Sequence, residues 1–94
     1  MREYEVMYIV KPAEEEAFEA VVTKFDALIA DNGGTVVKTD RMGKRRLAYE
    51  INDFVDGIYV LVTFNAEPKA VKELDRVMKI TDEILRHMII RKGE

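Results

Sequence analysis

Cysteine is absent from this sequence of 94 residues. That excludes disulfides, Cys-ligated metals and thiol nucleophiles, and it agrees with a reducing compartment. Histidine occurs once, at His87, so no pair of His ligands exists for a metal. A lone His near a core or sheet edge is expected to pack and make one hydrogen bond. No apolar run approaches the roughly 20 residues of a membrane helix, and Met1-Arg2-Glu3-Tyr4-Glu5 lacks the hydrophobic stretch of a signal peptide. A cytoplasmic protein with no membrane partner is expected. The G-x-S-x-G, Walker A and dinucleotide fingerprints are all missing. With no nucleophile set beside a base, no catalytic residue, cofactor, metal or small-molecule substrate is expected.

What remains is the composition of a globular chain: 48% hydrophobic and 35% charged residues. Residues 1–94 suit one domain, with no linker or internal repeat. A chain this short buries roughly 60–65% of its unfolded surface, enough for one core and no deep cleft. The net charge of −3 disfavours a general nucleic-acid binder, but the charges are segregated. Lys38, Arg41, Lys44, Arg45 and Arg46 face Asp40 alone, a local balance of +4. Glu14, Glu15, Glu16, Glu19, Asp26 and Asp31 face Lys24 alone, a balance of −5. Such asymmetry orients a protein on a polyanion, although a charge run also serves as a solvated face.

Tyr4 to Val10 is rich in β-branched and aromatic residues and stops at Lys11-Pro12, as a strand does. From Ala13 the period changes: Phe18, Val21, Val22, Phe25, Leu28 and Ile29 fall on one helical stripe. Glu14, Glu15 and Glu16 complement the dipole at the start of that helix, and Asn32-Gly33-Gly34 ends it. Thr35 to Ile51 reads as one long strand, or two joined across Met42-Gly43-Lys44. A turn is expected over Asn52-Asp53-Phe54-Val55-Asp56-Gly57, with Asp53 and Asp56 capping backbone amides rather than acting as paired acids. Ile58 to Phe64 is a buried strand, Pro68 opens a second helix with a stripe of Val71, Leu74, Val77 and Met78, and Ile84 to Ile90 is the last strand.

The order β-α-β-β-α-β is the split βαβ of ferredoxin-like α+β domains. Right-handed crossovers put both helices on one face of a four-stranded antiparallel sheet, in the order fourth, first, third, second. Tyr4, Val6, Tyr8 and Val10, with Val60, Val62 and Phe64, are then assigned to the core, because alternate side chains share a face. Met7, Ile9, Tyr59, Leu61, Met88 and Ile90 fall on the opposite, helix-free face. Scattered surface hydrophobes need no explanation, whereas a contiguous patch marks a docking surface.

The RNA-recognition motif shares this topology and stacks bases on aromatics of its central strands. Here Asp56-Gly57-Ile58-Tyr59-Val60 puts an acid in the basic position and aliphatics where both aromatics belong. Base stacking by that route is not expected. Gly43-Lys44-Arg45-Arg46-Leu47-Ala48-Tyr49-Glu50-Ile51 instead sets adjacent cations at a strand bend. The planar fork of arginine suits phosphate oxygens, although basic side chains also keep a sheet edge from pairing.

Across almost its whole length the chain resembles the sixth protein of the bacterial small ribosomal subunit. The resemblance lies in Arg2-Glu3-Tyr4-Glu5, in Gly43-Lys44-Arg45-Arg46-Leu47-Ala48-Tyr49, in Gly57-Ile58-Tyr59, and in Ile80-Thr81-Asp82-Glu83-Ile84-Leu85-Arg86-His87-Met88. It implies a ferredoxin-like fold and a non-catalytic place in the ribosome. It further implies a heterodimer with the eighteenth protein of the small subunit, the two binding the central domain of the small-subunit (16S) ribosomal RNA together. By position it makes Arg2, Arg45, Arg46, Arg86, Arg91 and Lys92, with Lys44 of the same basic segment, candidates for phosphate or partner contacts. The apolar sheet face gains a candidate partner, and a basic partner explains how an acidic protein joins an RNA. The sequence closes at Arg91-Lys92-Gly93-Glu94, so no contact through a longer acidic tail is carried over. Two other readings stay open. One is a homodimeric ferredoxin-like regulatory or ligand-binding module that uses the same face. The other is a hydrolase of acylphosphatase type, against which Lys11-Pro12-Ala13-Glu14-Glu15-Glu16 offers acids and no glycine where phosphate must be cradled.

Overall fold

Alternation in the first strand sets the architecture. Val6, Tyr8 and Val10 are fully buried beneath two helices, while Met7 between them points to the other side. A computed structural model describes residues 1–92. It runs β1 (Arg2–Val10), α1 (Glu15–Asp31), β2 (Thr35–Ile51), β3 (Phe54–Ala66), α2 (Pro68–Lys79) and β4 (Ile84–Arg91). The sheet order is β2-β3-β1-β4, all antiparallel, which is the order expected of two right-handed crossovers.

α1 is preceded by Glu14 at its N-cap, whose backbone is extended and whose side chain makes no capping bond; Glu15 and Glu16 occupy the first turn. The stripe read from the sequence is the buried one: Phe18, Val21, Val22, Phe25 and Ile29 are buried, and Leu28 packs against them half-buried. The helix ends where Asn32 Nδ2 donates to the Leu28 carbonyl at 2.8 Å and the Gly34 N–H donates to Ile29 O at 2.8 Å. α2 has Pro68 in its first turn, where a missing N–H costs nothing. It buries Ala70, Leu74 and Met78, with Val71 and Val77 at the margin. Each large side chain in this layer contributes roughly 1.5–3 kcal/mol of transfer free energy. Rings join neighbours within and between the layers: Tyr4 of β1 stacks on Phe64 of β3 at 5.7 Å, and Tyr8 tilts against Phe25 of α1 at 5.6 Å.

β2 is one strand, bent rather than broken. Gly43, with φ +90°, sits at a register shift between Arg41 and Gly43; a side chain there would meet the steric penalty of the left-handed region. The turn expected over Asn52 to Gly57 is much tighter. Asn52 and Asp53 alone carry positive φ, Ile51 pairs with Phe54, and Phe54 to Gly57 belong to β3. Asn and Asp tolerate the two left-handed positions of a two-residue hairpin, so the loop closes at once. The capping role expected of Asp53 and Asp56 is not found, since neither side chain makes a hydrogen bond among the described residues.

Candidate RNA and partner interface

Pairing in the sheet brings the predicted docking residues together row by row on the helix-free face. Leu61, Met7 and Met88 form one row across β3, β1 and β4, and Asp40 on β2 ends it. Tyr59, Ile9 and Arg86 form the next, with Gly43 on β2. Ile90 lies opposite Glu5 in the row beyond. Met88 and Ile90 are 51% and 47% exposed, Met7, Tyr59 and Leu61 are half-buried, and Ile9 is 5% exposed. Ile9 is thus the floor of the patch rather than part of its surface.

The burial of Ile9 comes from the hairpin that joins β2 to β3, which runs past the end of β1. Between the pairs Arg46–Asp56 and Ile51–Phe54, Leu47 to Glu50 on β2 stand against Val55 alone on β3. This surplus of chain lets the arm curl onto the helix-free face. Leu47 is buried there against Gly57, and a Cβ at Gly57 would come within 2.3 Å of Ile9 Cγ2. Farther out, Arg86 Nη1 donates to the Tyr49 hydroxyl, linking β4 to the arm of β2 although the two strands are opposite edges of the sheet. Met7, Ile9, Tyr59, Arg86, His87 and Met88 line a cavity of about 200 Å³.

Topology divides the predicted cations into two groups. Arg2 pairs with Ala66, Arg91 with Tyr4, and the Lys92 N–H donates to Glu3 O at 2.9 Å. Those three mark the end where β1 starts. Lys44 is level with Ile58, Arg45 with Gly57, Arg46 with Asp56 and Arg86 with Ile9, at the end where β1 finishes. At about 3.3 Å per residue along the strands the groups stand roughly 16–30 Å apart, Arg86 and Arg91 being the nearest pair, still beyond a Debye length of about 8 Å.

The cations of the sheet, Arg41 included, differ in how their charge is met. Arg41 is taken up by Glu19 of α1 through Nε–Oε2 at 2.7 Å and Nη2–Oε1 at 2.8 Å. This fork holds the Glu19 carboxyl below its usual range. Lys92 Nζ lies 3.9 Å from Glu5. Lys44, Arg45 and Arg46 are exposed, and among the described residues their side chains make no hydrogen bond or ion pair. Alternation sends Arg45 to the helix-free side with Gly57, and Lys44 and Arg46 to the helix side with Ile58 and Asp56.

His87 has the structural role expected of it. Its ring is 13% exposed and its Nε2 lies 2.7 Å from Asp75 Oδ1, with Lys79 Nζ 2.9 Å from the other oxygen. The His87 and Lys79 contacts, in that order, hold the Asp75 carboxyl below its usual range. Sequence reasoning missed Leu47 and Tyr49 as parts of the site. Nothing local announces them, because their placement depends on the surplus of β2 at the hairpin. Among the described residues no group of His, Cys, Asp or Glu is arranged to hold a metal ion, and no helix is long and apolar enough to cross a membrane.

The chain is 61% identical to small ribosomal subunit protein bS6 of Desulforamulus reducens, covering 100% of both chains. To the protein of that name from Exiguobacterium sibiricum it is 59% identical, covering 97% of each. The crystal structure of 30S ribosomal protein S6 from Thermotoga maritima superposes with a TM-score of 0.92 at 34% identity, covering 97% of this chain and 87% of that one. The C-terminal domain of the MgtC protein from Mycobacterium tuberculosis, at a TM-score of 0.64 and 15% identity over 100% of this chain and 89% of that one, shares the fold alone. The family model for ribosomal protein S6 matches residues 3–91. From the opening Glu3-Tyr4-Glu5 to the end of β4, the chain belongs to the ribosomal protein S6 family.

Proposed function

We propose that this chain is a non-catalytic constituent of the small ribosomal subunit in the cytoplasm, docking the eighteenth small-subunit protein on its helix-free sheet face and binding the central domain of 16S ribosomal RNA in that protein's company. One juxtaposition supports the reading. The exposed cation Arg45, without a side-chain partner among the described residues, shares the helix-free face with the apolar rows of Met7, Leu61, Met88 and Tyr59, and Lys44 and Arg46, equally exposed and without partners, flank it on the helix side of the same edge strand. Phosphates answer to the first element and a protein to the second. An acidic chain with only a few unengaged cations binds RNA weakly alone, so a basic partner on the adjoining face completes the positive surface.

The test is calorimetric titration of the chain with the eighteenth protein, and of each separately and both together with a central-domain RNA fragment. Tight RNA binding is expected from the pair and weak binding from the chain alone. Met7→Asp is expected to weaken partner docking by tenfold or more, because docking would desolvate the carboxylate, with the thermal melt of the free chain unchanged. Self-association through the same face, without affinity for the eighteenth protein, would instead favour the homodimeric module.

A further inference from the structure

We infer that Arg86, together with Tyr49, is a built receptor for a single carboxylate carried by the protein that docks on the helix-free face. The inference rests on that docking reading and says what the partner must present: an aliphatic or aromatic side chain for the cavity, with an Asp, Glu or terminal carboxylate beside it.

Arg86 lies opposite Ile9 in the middle of the face and lines the apolar cavity with Met7, Ile9, Tyr59 and Met88. A guanidinium has five N–H donors. One is spent on the neutral Tyr49 hydroxyl, and no carboxylate pairs with Arg86 among the described residues. The charge is therefore held over the cavity without being neutralised. By accepting from Arg86, the Tyr49 oxygen keeps its own O–H hydrogen free to donate. Guanidinium N–H and phenol O–H together form a two-point donor set that suits the two oxygens of one carboxylate. Tyr49 also fixes a side chain that would otherwise lose rotamer freedom on binding.

The same geometry disfavours a phosphate chain in this place. Asp40, Glu5 and, farther along β1, Glu3 share the face with Arg86, with Lys92 Nζ 3.9 Å from Glu5 and Arg45 at the β2 edge, so a polyanion laid from Arg86 along β1 would run over apolar rows and carboxylates, whereas a protein segment offering one carboxylate meets a cation set among apolar groups. Arg86 therefore parts from Lys44, Arg45 and Arg46: it reads the protein partner while they are left for RNA.

The experiment titrates the intact chain with the eighteenth small-subunit protein at low and high salt, using wild type, Arg86→Met, Arg86→Lys, Tyr49→Phe and Met7→Asp, each checked by thermal melting. Arg86→Met is expected to weaken binding about 10–100-fold, the range for hydrogen bonds to a charged group, and to remove much of the salt dependence. Arg86→Lys should recover part of the loss, and Tyr49→Phe should cost a smaller factor with the salt dependence kept. If Met7→Asp abolishes binding and Arg86→Met does not weaken it, the carboxylate receptor is overturned while the docking reading stands. Equal losses in Arg86→Met and Tyr49→Phe with unchanged salt dependence would reduce the pair to a clasp for the arm, and overturn it too. Arg86→Met weakening RNA binding in the absence of partner would return Arg86 to the phosphate set. No effect of Met7→Asp, or no binding by wild type, would take the docking reading away and this inference with it.

Discussion

Tyr8 lies at the centre of the core with no exposed surface, and its hydroxyl has no hydrogen-bond partner. Leaving a buried hydroxyl unsatisfied costs roughly 1–3 kcal/mol, whereas the ring packs against Phe25 with or without it. Tyr8→Phe is therefore expected to raise stability by about 1 kcal/mol, read from urea denaturation. Burial, and next to it Asp26, push the phenol above its usual range. Because the folded state resists ionising it, the stability tied to this group is fully present below its ordinary value of 10.0 and falls as pH rises past that value. The Phe variant should lose less stability than wild type on alkaline titration. Gly57 makes the opposite demand, for space. With Ile9 Cγ2 lying 2.3 Å from where a Cβ would stand, Gly57→Ala is expected to cost about 1–3 kcal/mol through overpacking. Ile9→Ala in the same chain should recover part of that loss, a coupling that a double-mutant cycle measures.

Among the elements, β4 depends on α2 as well as on β1. The His87 ring on β4 and Lys79 on α2 share the carboxylate of Asp75, whose affinity for a proton is lowered by both. Stability from this tie is present above the ordinary Asp value of 3.8 and is lost as pH falls through the lower folded-state value. Asp75→Asn should flatten that acid limb in a pH series of thermal melts, modestly, since the carboxylate is 40% exposed and screened by solvent. At the other edge, the β2–β3 arm decides what the apolar face looks like. Residues Leu47 to Glu50 are legible as strand and as part of a basic, recognisable segment, yet their excess over Val55 belongs to a pairing between two strands. A single strand's pattern holds no record of it, so the pattern leaves Tyr49 at a sheet edge, whereas the folded arm carries it to Arg86.

For the whole molecule, the separation of the cations has a measurable consequence. Sites farther apart than a Debye length act independently, so Arg45→Ala with Arg46→Ala and Arg2→Ala with Lys92→Ala should change RNA affinity additively. Removing a cation that touches a phosphate should reduce the slope of log affinity against log salt by roughly 0.7–0.9. A salt series with the protein partner present would check this for each pair and for the four together. Arg45 and Arg46 should also differ as single variants, because they point to opposite sides of β2. Unchanged affinity and slope in the Arg45/Arg46 pair, with more aggregation, would leave those residues the task of guarding a sheet edge.

The element order, the sheet order, the core faces and the family were all determined by sequence alone. Periodicity of 2 and 3.6, turn residues and right-handed crossovers are local or chiral constraints, and burial enforces them at the core positions between Tyr4 and Met78. The apolar helix-free face followed from the same alternation, once β1 was placed at the centre. Tertiary structure alone decided which candidates meet. It placed Ile9 under Leu47, set Arg86 over the cavity with Tyr49, gave Arg41 to Glu19, and sent Arg2, Arg91 and Lys92 to the far end from Lys44, Arg45 and Arg46. Each of these depends on register between strands distant in sequence, and a register is fixed by the sum of packing over a whole face rather than by any segment's own pattern.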